Sequence, residues 1–221
     1  MYINRDGRKI LSNIHTSINY QTDITADMIV KKVINEKTGK EDLALNMEYW
    51  QNLKEPVSVV LDEAHALVDS RSAMSKLNKL VTLWTSLLRK VIGQNPSGEG
   101  QLVMITQLPN AIDTRIRQLA NQVRYHVCHF KKECLDNNCG QLWSETSETA
   151  EPLWKCPRCN NLKVRKFNHV IEIWHFKNMP SFLDWKYMGM STYHRHYLVN
   201  DIEDYFPLYS TLQIQDLFND L

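Results

Sequence analysis

No stretch of the sequence approaches the roughly 18 consecutive apolar residues of a membrane span, although 43% of its 221 residues are hydrophobic. No membrane segment is therefore expected. The first residues, MYINRDGRKIL, lack the apolar core and small-residue cleavage site of a secretory signal, so the expected setting is cytoplasmic. Charge of one sign is also missing: 26 Lys and Arg stand against 25 Asp and Glu. Bulk charge thus does not announce a nucleic-acid protein. Glycine is scarce, at seven residues, and the only Gly-Lys pair is Gly39-Lys40. Glu41 follows that pair, and Ile34 stands where the first glycine of G-x-x-x-x-G-K-[ST] belongs, so no phosphate-cradling loop is present. Internal repeats and low-complexity tracts are absent, which removes solenoids and arrays from consideration.

What is there reads as one main globular domain with room for a small insert. RKILSNIH (8–15) predicts a short strand, and Thr25 or Asp27 is placed to cap a helix over MIVKKVINE (28–36). After a polar break, VSVVL (57–61) has the compact aliphatic character of a strand buried on both faces. From Ala73 to Val91, Leu77, Leu80, Trp84, Leu87, Leu88 and Val91 recur at three- and four-residue steps, the stripe of an amphipathic helix. QLVMIT (101–106) predicts a strand, AIDTRIRQLAN (111–121) a helix, and VRYHVCHF (123–130) and HVIEIWHF (169–176) two more strands. Strands alternating with helices predict an α/β protein with a mainly parallel sheet flanked by helices.

The segment VSVVLDEAHALVDSR carries the first chemical signal. A buried strand ending in Asp62-Glu63 sets two carboxylates at the carboxyl edge of a sheet, where α/β proteins bind ligands. There Asp62 suits a magnesium ion and Glu63 suits a water attacking a terminal phosphate, the chemistry of a Walker B strand. Acids favoured at the start of a following helix explain the same letters. The D-E-A-H spelling does not make a helicase, because neither the Ser-Ala-Thr motif nor the glycine-arginine motif of DEAH helicases occurs and the chain is too short for two helicase domains.

Taken in order, GRKILSNIH, VSVVLDEAH with Arg71 following, and LVMITQLPNAIDTRIRQLAN resemble the zonula occludens toxin (Zot)-like and FtsK/HerA-like branch of P-loop ATPases. The tail DYFPLYSTLQI resembles the Y-x-x-Y-x-T ending of these and related viral packaging ATPases. The resemblance implies a RecA/ASCE-like P-loop core that is incomplete at its amino terminus, with the first strand, phosphate loop and helix expected upstream of Met1. It also implies that Gln107 is a polar sensor near the phosphate, and that Arg115 or Arg117 is a finger reaching a neighbouring subunit's nucleotide. A homo-oligomeric ring moving DNA follows from it, with magnesium and ATP as cofactors once a phosphate loop is supplied. If the gene is viral, the setting is the host cytoplasm.

The cysteines give the most specific signal. Cys134-x4-Cys139 and Cys156-x2-Cys159 are two short pairs separated by sixteen residues, the pattern of a structural zinc site closed by four thiolates. His129 and His169 are available as substitute ligands, and Cys128 reads as a small hydrophobe in its strand. Lys131, Lys132, Lys155, Arg158, Lys163, Arg165 and Lys166 surround the pairs. Two roles fit them: contacts to nucleic-acid phosphates with Trp143 or Trp154 stacking on bases, or a solvated face over tryptophans that pack internally. The expected organisation is an ATPase-like core over 1–130 and 167–221 with a zinc-ribbon insertion at 131–166. The expected function is a subunit or fragment of an ATP-driven DNA-translocating motor, for genome packaging, virion assembly or conjugation-type transfer. The competing reading is a non-hydrolysing ATPase-like module whose zinc ribbon binds nucleic acid or protein.

Overall fold

In the computed structural model, residues 8–16, 21–64, 76–92, 100–200, 202 and 209–214 are described. The chain forms two units, 1–119 with 208–221, and 120–207.

The first unit is organised around β6 (Val57–Leu61), whose five residues are all buried. Its aliphatic run has no polar alternation because parallel neighbours pair on both sides and apolar side chains cover both faces. The neighbours are β1 (Lys9–Ser12) and β7 (Gln101–Met104), and β3 (Gln21–Asp23) completes a parallel sheet in the order β3-β1-β6-β7. Helix α3 (Lys76–Ile92) follows β6 and returns the chain for the parallel pairing of β7. It buries Val81, Trp84 and Leu88 in one core with Leu11, Val59, Leu61, Ile112 and Ile116. Trp84 meets Trp50 of α2 (Met47–Gln51) at 5.4 Å between ring centroids, and the Trp50 indole donates to the Met28 carbonyl at 2.7 Å. A further strand, β2 (Ile14–Thr16), pairs antiparallel with β12 (Tyr209–Ile214), within the tail that resembles a packaging-ATPase ending.

The helix expected over 28–36 is not formed. Only α1 (Ala26–Ile29) is helical, and β4 (Val30–Ile34) pairs antiparallel with β5 (Glu41–Leu45), which the sequence reading left as a polar break. The turn decides the outcome: Asn35 Oδ1 accepts from the N–H groups of Lys37 and Thr38, and Gly39 takes φ 66°. Asn35 N–H then closes the hairpin on the Lys40 carbonyl at 2.9 Å. Branched Val30, Val33 and Ile34 favour the extended strand once that turn is in place.

The second unit holds an antiparallel sheet in the order β11-β10-β8-β9, built from β8 (Val123–Cys134), β9 (Leu142–Thr146), β10 (Val164–Phe176) and β11 (Arg195–Val199). The sequence allows 123–132 and 164–176 to be strands of the parallel sheet or of a ribbon extending from it, and the second arrangement is the one formed. Those segments pair with each other, from Val123 opposite Phe176 to Cys134 opposite Val164. The cysteine region accordingly lies at the far end of the paired strands β8 and β10, with β9 on the other edge of β8. Helix α5 (Met179–Met188) is capped by the Asn178 side chain on Ser181 N–H, and ends at Gly189 with φ 67°. It sets Phe182 and Trp185 against Tyr125 and Phe176, and Trp185 also meets Trp174.

Candidate functional site

Because β1, β6 and β7 run parallel, the residues that follow them share the carboxyl edge of one sheet. Leu61 ends β6 and the chain continues as Asp62-Glu63, both half-buried. Asn13, directly after β1, is 2% exposed and its amide grips the Asp62 backbone twice. Asn13 Nδ2 donates to the Asp62 carbonyl at 3.0 Å, and Asp62 N–H donates to Asn13 Oδ1 at 2.8 Å. Glu63 then turns sharply, with φ 48°, a left-handed conformation that costs a non-glycine residue about 1–3 kcal/mol. The turn brings its carboxylate to 3.5 Å from the Gln107 amide, in the segment that leaves the neighbouring strand β7. Two backbone bonds, Ile105 N–H to Leu61 carbonyl at 2.8 Å and Ala64 N–H to Ile105 carbonyl at 2.9 Å, extend the pairing beneath this contact.

Asp62, Glu63 and Gln107 are thus brought together at one edge of the sheet. The Asn13 clamp was missed. Its signal was a polar Asn directly behind an aliphatic strand, which spacing rules do not interpret. Arg115 and Arg117 both lie on α4 (Thr114–Leu119) and are engaged locally. Arg115 makes a forked pair with Asp113, Nε to Oδ1 at 3.1 Å and Nη2 to Oδ2 at 2.7 Å, which holds the buried Asp113 carboxyl below its usual range. Arg117 donates to the Ile112 carbonyl at 3.1 Å and to Thr114 Oγ1 at 3.0 Å. Arg71 and His65 fall outside the described residues.

The second site lies in the other unit. The sulfur atoms of Cys134, Cys139, Cys156 and Cys159 all lie within 4.8 Å of one another. Cys134 and Cys159 sulfurs are 3.5 Å apart, and those of Cys139 and Cys156 are 3.6 Å apart. A tetrahedron with zinc–sulfur bonds of about 2.3 Å has edges of roughly 3.8 Å, so the set can hold a metal such as zinc.

Two tight turns deliver the thiols. Gly140 and Asn160, each just after a second cysteine, take φ 55° and 59°. Cys139 N–H bonds the Asp136 carbonyl, Cys156 N–H bonds the Asn161 carbonyl, and the Asn161 amide donates to Asp136 Oδ2 at 3.0 Å, which ties the two turns together. Burial opposes ionisation of Cys156, but the N–H groups of Cys159 and Arg158, with the neighbouring thiols, outweigh it and hold this thiol at about 7. Cys134 and Cys139 shift the other way: despite a backbone N–H at each sulfur, burial and the neighbouring thiols push Cys134 up to about 12 and raise Cys139, so one thiolate is accommodated at the expense of the others until a cation is present.

Neither His129 nor His169 belongs to the four-sulfur set. His129 and His196 instead flank Glu172, at 2.8 and 2.7 Å. Cys128 is likewise outside the set, half-buried in β8. Among the described residues, no helix is long and apolar enough to cross a membrane.

No protein-family model matches the sequence, and no curated protein matches it. Among solved structures, the crystal structure of the N-terminal domain of zonular occludens toxin from Neisseria meningitidis is similar over 94% of this chain and 84% of that one, at 17% identity and a TM-score of 0.42. That likeness is too weak to define a family.

Proposed function

We propose that the first unit is the Walker B and sensor portion of an ATP-driven motor that moves DNA, and that the second unit carries a structural zinc ion. The observation that supports the motor reading is the approach of Gln107 to Glu63 in the segments that follow two adjacent parallel strands. A carboxylate and an amide on one sheet edge are the pair needed to orient a water and sense a terminal phosphate. Asp62 would hold magnesium, which supplies charge neutralisation on the phosphates. The Asn13 clamp fixes the backbone from which Asp62 projects. Since the sequence contains no glycine-rich cradle, turnover requires a polypeptide that supplies one, fused or added in trans. Arg115 and Arg117 are the candidates for a finger acting across a ring interface, and Arg115 must release Asp113 to serve.

With a loop-bearing segment supplied, Glu63→Gln should keep nucleotide binding and lose most turnover, whereas Asp62→Asn should weaken both. Nucleotide affinity and steady-state ATPase rates read the difference. Full turnover in both variants would remove the Walker B assignment. The four-cysteine cluster alone favours the second reading, a non-hydrolysing module. That reading gains if no supplied loop restores turnover to the wild-type chain.

A further inference from the structure

The cysteine end of the second unit contains a buried ion pair. Lys132 and Glu145 side chains are 4% and 5% exposed, and their charged atoms meet at 2.7 Å. Desolvating such a pair cancels most of its attraction, so its use is positional. What it positions is Leu153: Lys132 Nζ donates to the Leu153 carbonyl at 2.7 Å, and Leu153 N–H donates to Glu145 Oε1 at 3.2 Å. Trp143 is tied into the same carboxylate through its indole N–H at 2.8 Å. With Leu153 held on both sides, the next residue, Trp154, stands 77% exposed. Leu162, across the Cys156–Asn161 turn from it, is 76% exposed.

The run 152–166 that carries Trp154 contains five cationic residues, Lys155, Arg158, Lys163, Arg165 and Lys166, and no acid. Arg165 pairs with Glu133, and Lys166 lies 4.7 Å over the Phe130 ring. Lys155, Arg158 and Lys163 are exposed around the turn. An anchored, outward aromatic ring among cations fits a polyanion with flat apolar groups. We infer that Trp154, with Lys155, Arg158 and Lys163, forms a stacking platform for single-stranded nucleic acid. A single strand is favoured over a duplex because duplex bases are already stacked and offer no face to the indole. Trp143, with its N–H engaged by Glu145, serves the framework. The inference rests on the metal reading of the four cysteines, which hold the turn beside Trp154, and is independent of the ATPase reading.

The test uses the full chain and a fluorescently labelled oligothymidylate of about 20 nucleotides, several times the smallest single-strand site size. Anisotropy should show binding that weakens steeply with salt. Trp154→Ala should weaken it roughly 5- to 100-fold, and Trp154→Phe should retain most of it. Lys155→Gln, Arg158→Gln and Lys163→Gln together should flatten the log–log salt slope by about 0.7 for each phosphate contact removed. Metal content measured on every variant separates a collapsed turn from a lost platform. Should Trp154→Ala lose metal, Trp154→Phe against Trp154→Leu replaces it, and equal binding by those two overturns the proposal. So does wild-type affinity in a metal-replete Trp154→Ala, a preference for duplex, or no binding by the wild type. Displacement of the oligonucleotide by polyglutamate at equal charge would assign the surface to an acidic protein instead.

Discussion

Replacing Asn13 tests whether the acidic strand end is held by its neighbour or only by its own strand. Asn13→Ala removes two hydrogen bonds, at 3.0 and 2.8 Å, from a side chain that is 2% exposed. Each of the two backbone groups of Asp62 left without a partner costs about 1–3 kcal/mol, so the expected loss is on the order of 2–6 kcal/mol. Asn13→Asp is the more diagnostic change. It keeps the acceptor for Asp62 N–H but sets a carboxylate oxygen against the Asp62 carbonyl. Burial and that carbonyl must both raise the pKa of the introduced acid above its unfolded value of about 3.9. The sign follows: a protonated side chain can donate as Asn does, so its stabilisation is fully present below about 3.9 and is lost as pH rises through the folded pKa. Over that window the variant should lose about 1.4 kcal/mol per pH unit relative to the native chain. Urea unfolding followed by circular dichroism between pH 4 and 8 (about the carboxyl-to-neutral range) provides the measurement. A loss below about 0.5 kcal/mol in Asn13→Ala, or parallel pH profiles for Asn13→Asp and Asn13→Ala, would refute the clamp.

Metal analysis of the purified chain should return about one zinc per polypeptide, and Cys156→Ser should lose it together with the ordered structure of 131–166. Negligible metal, with the cysteines oxidised in pairs, would contradict the site. Calorimetric titration of the isolated chain with ATP and magnesium should give no micromolar binding, because the sequence provides no loop of backbone amides to cradle phosphates. Micromolar affinity abolished by Asp62→Asn would show that the chain builds its own cradle.

The elements legible in the sequence were those whose signal is carried by consecutive residues. Val57 to Val60 announced a doubly covered strand without any partner being known, and the three- and four-residue spacing from Leu77 to Leu88 announced α3. The four cysteines converge as their spacing predicted, because each pair is delivered by its own short turn. The hairpin from Val30 to Leu45 was lost because MIVKKVINE has helical spacing and strand-forming side chains at once, and the Asn35 and Gly39 turn settled the contest. The sequence left two sheet memberships open for 123–134 and 164–176, the parallel sheet or a ribbon, since their pairing spans about 30 to 50 positions and the intervening loops do not state it. Asn13 escaped for the same reason: its partner is 49 residues away.

The long hairpin of β8 and β10 also faces a problem of alignment. Strands of 12 and 13 residues reach about 40 Å at 3.4 Å per residue, and a slip of one residue would turn every side chain to the opposite face. The pairing breaks between Phe167 and Val170, where Asn168 takes φ 52°. Beyond that break the strands are free to re-index unless something at the far end forbids it. Cys134 closes β8 and must meet Cys156 and Cys159 of the turn that leads into β10. A metal held by the four sulfurs would act as an end stop, favouring a single alignment of the two strands and holding the tip in step with the body.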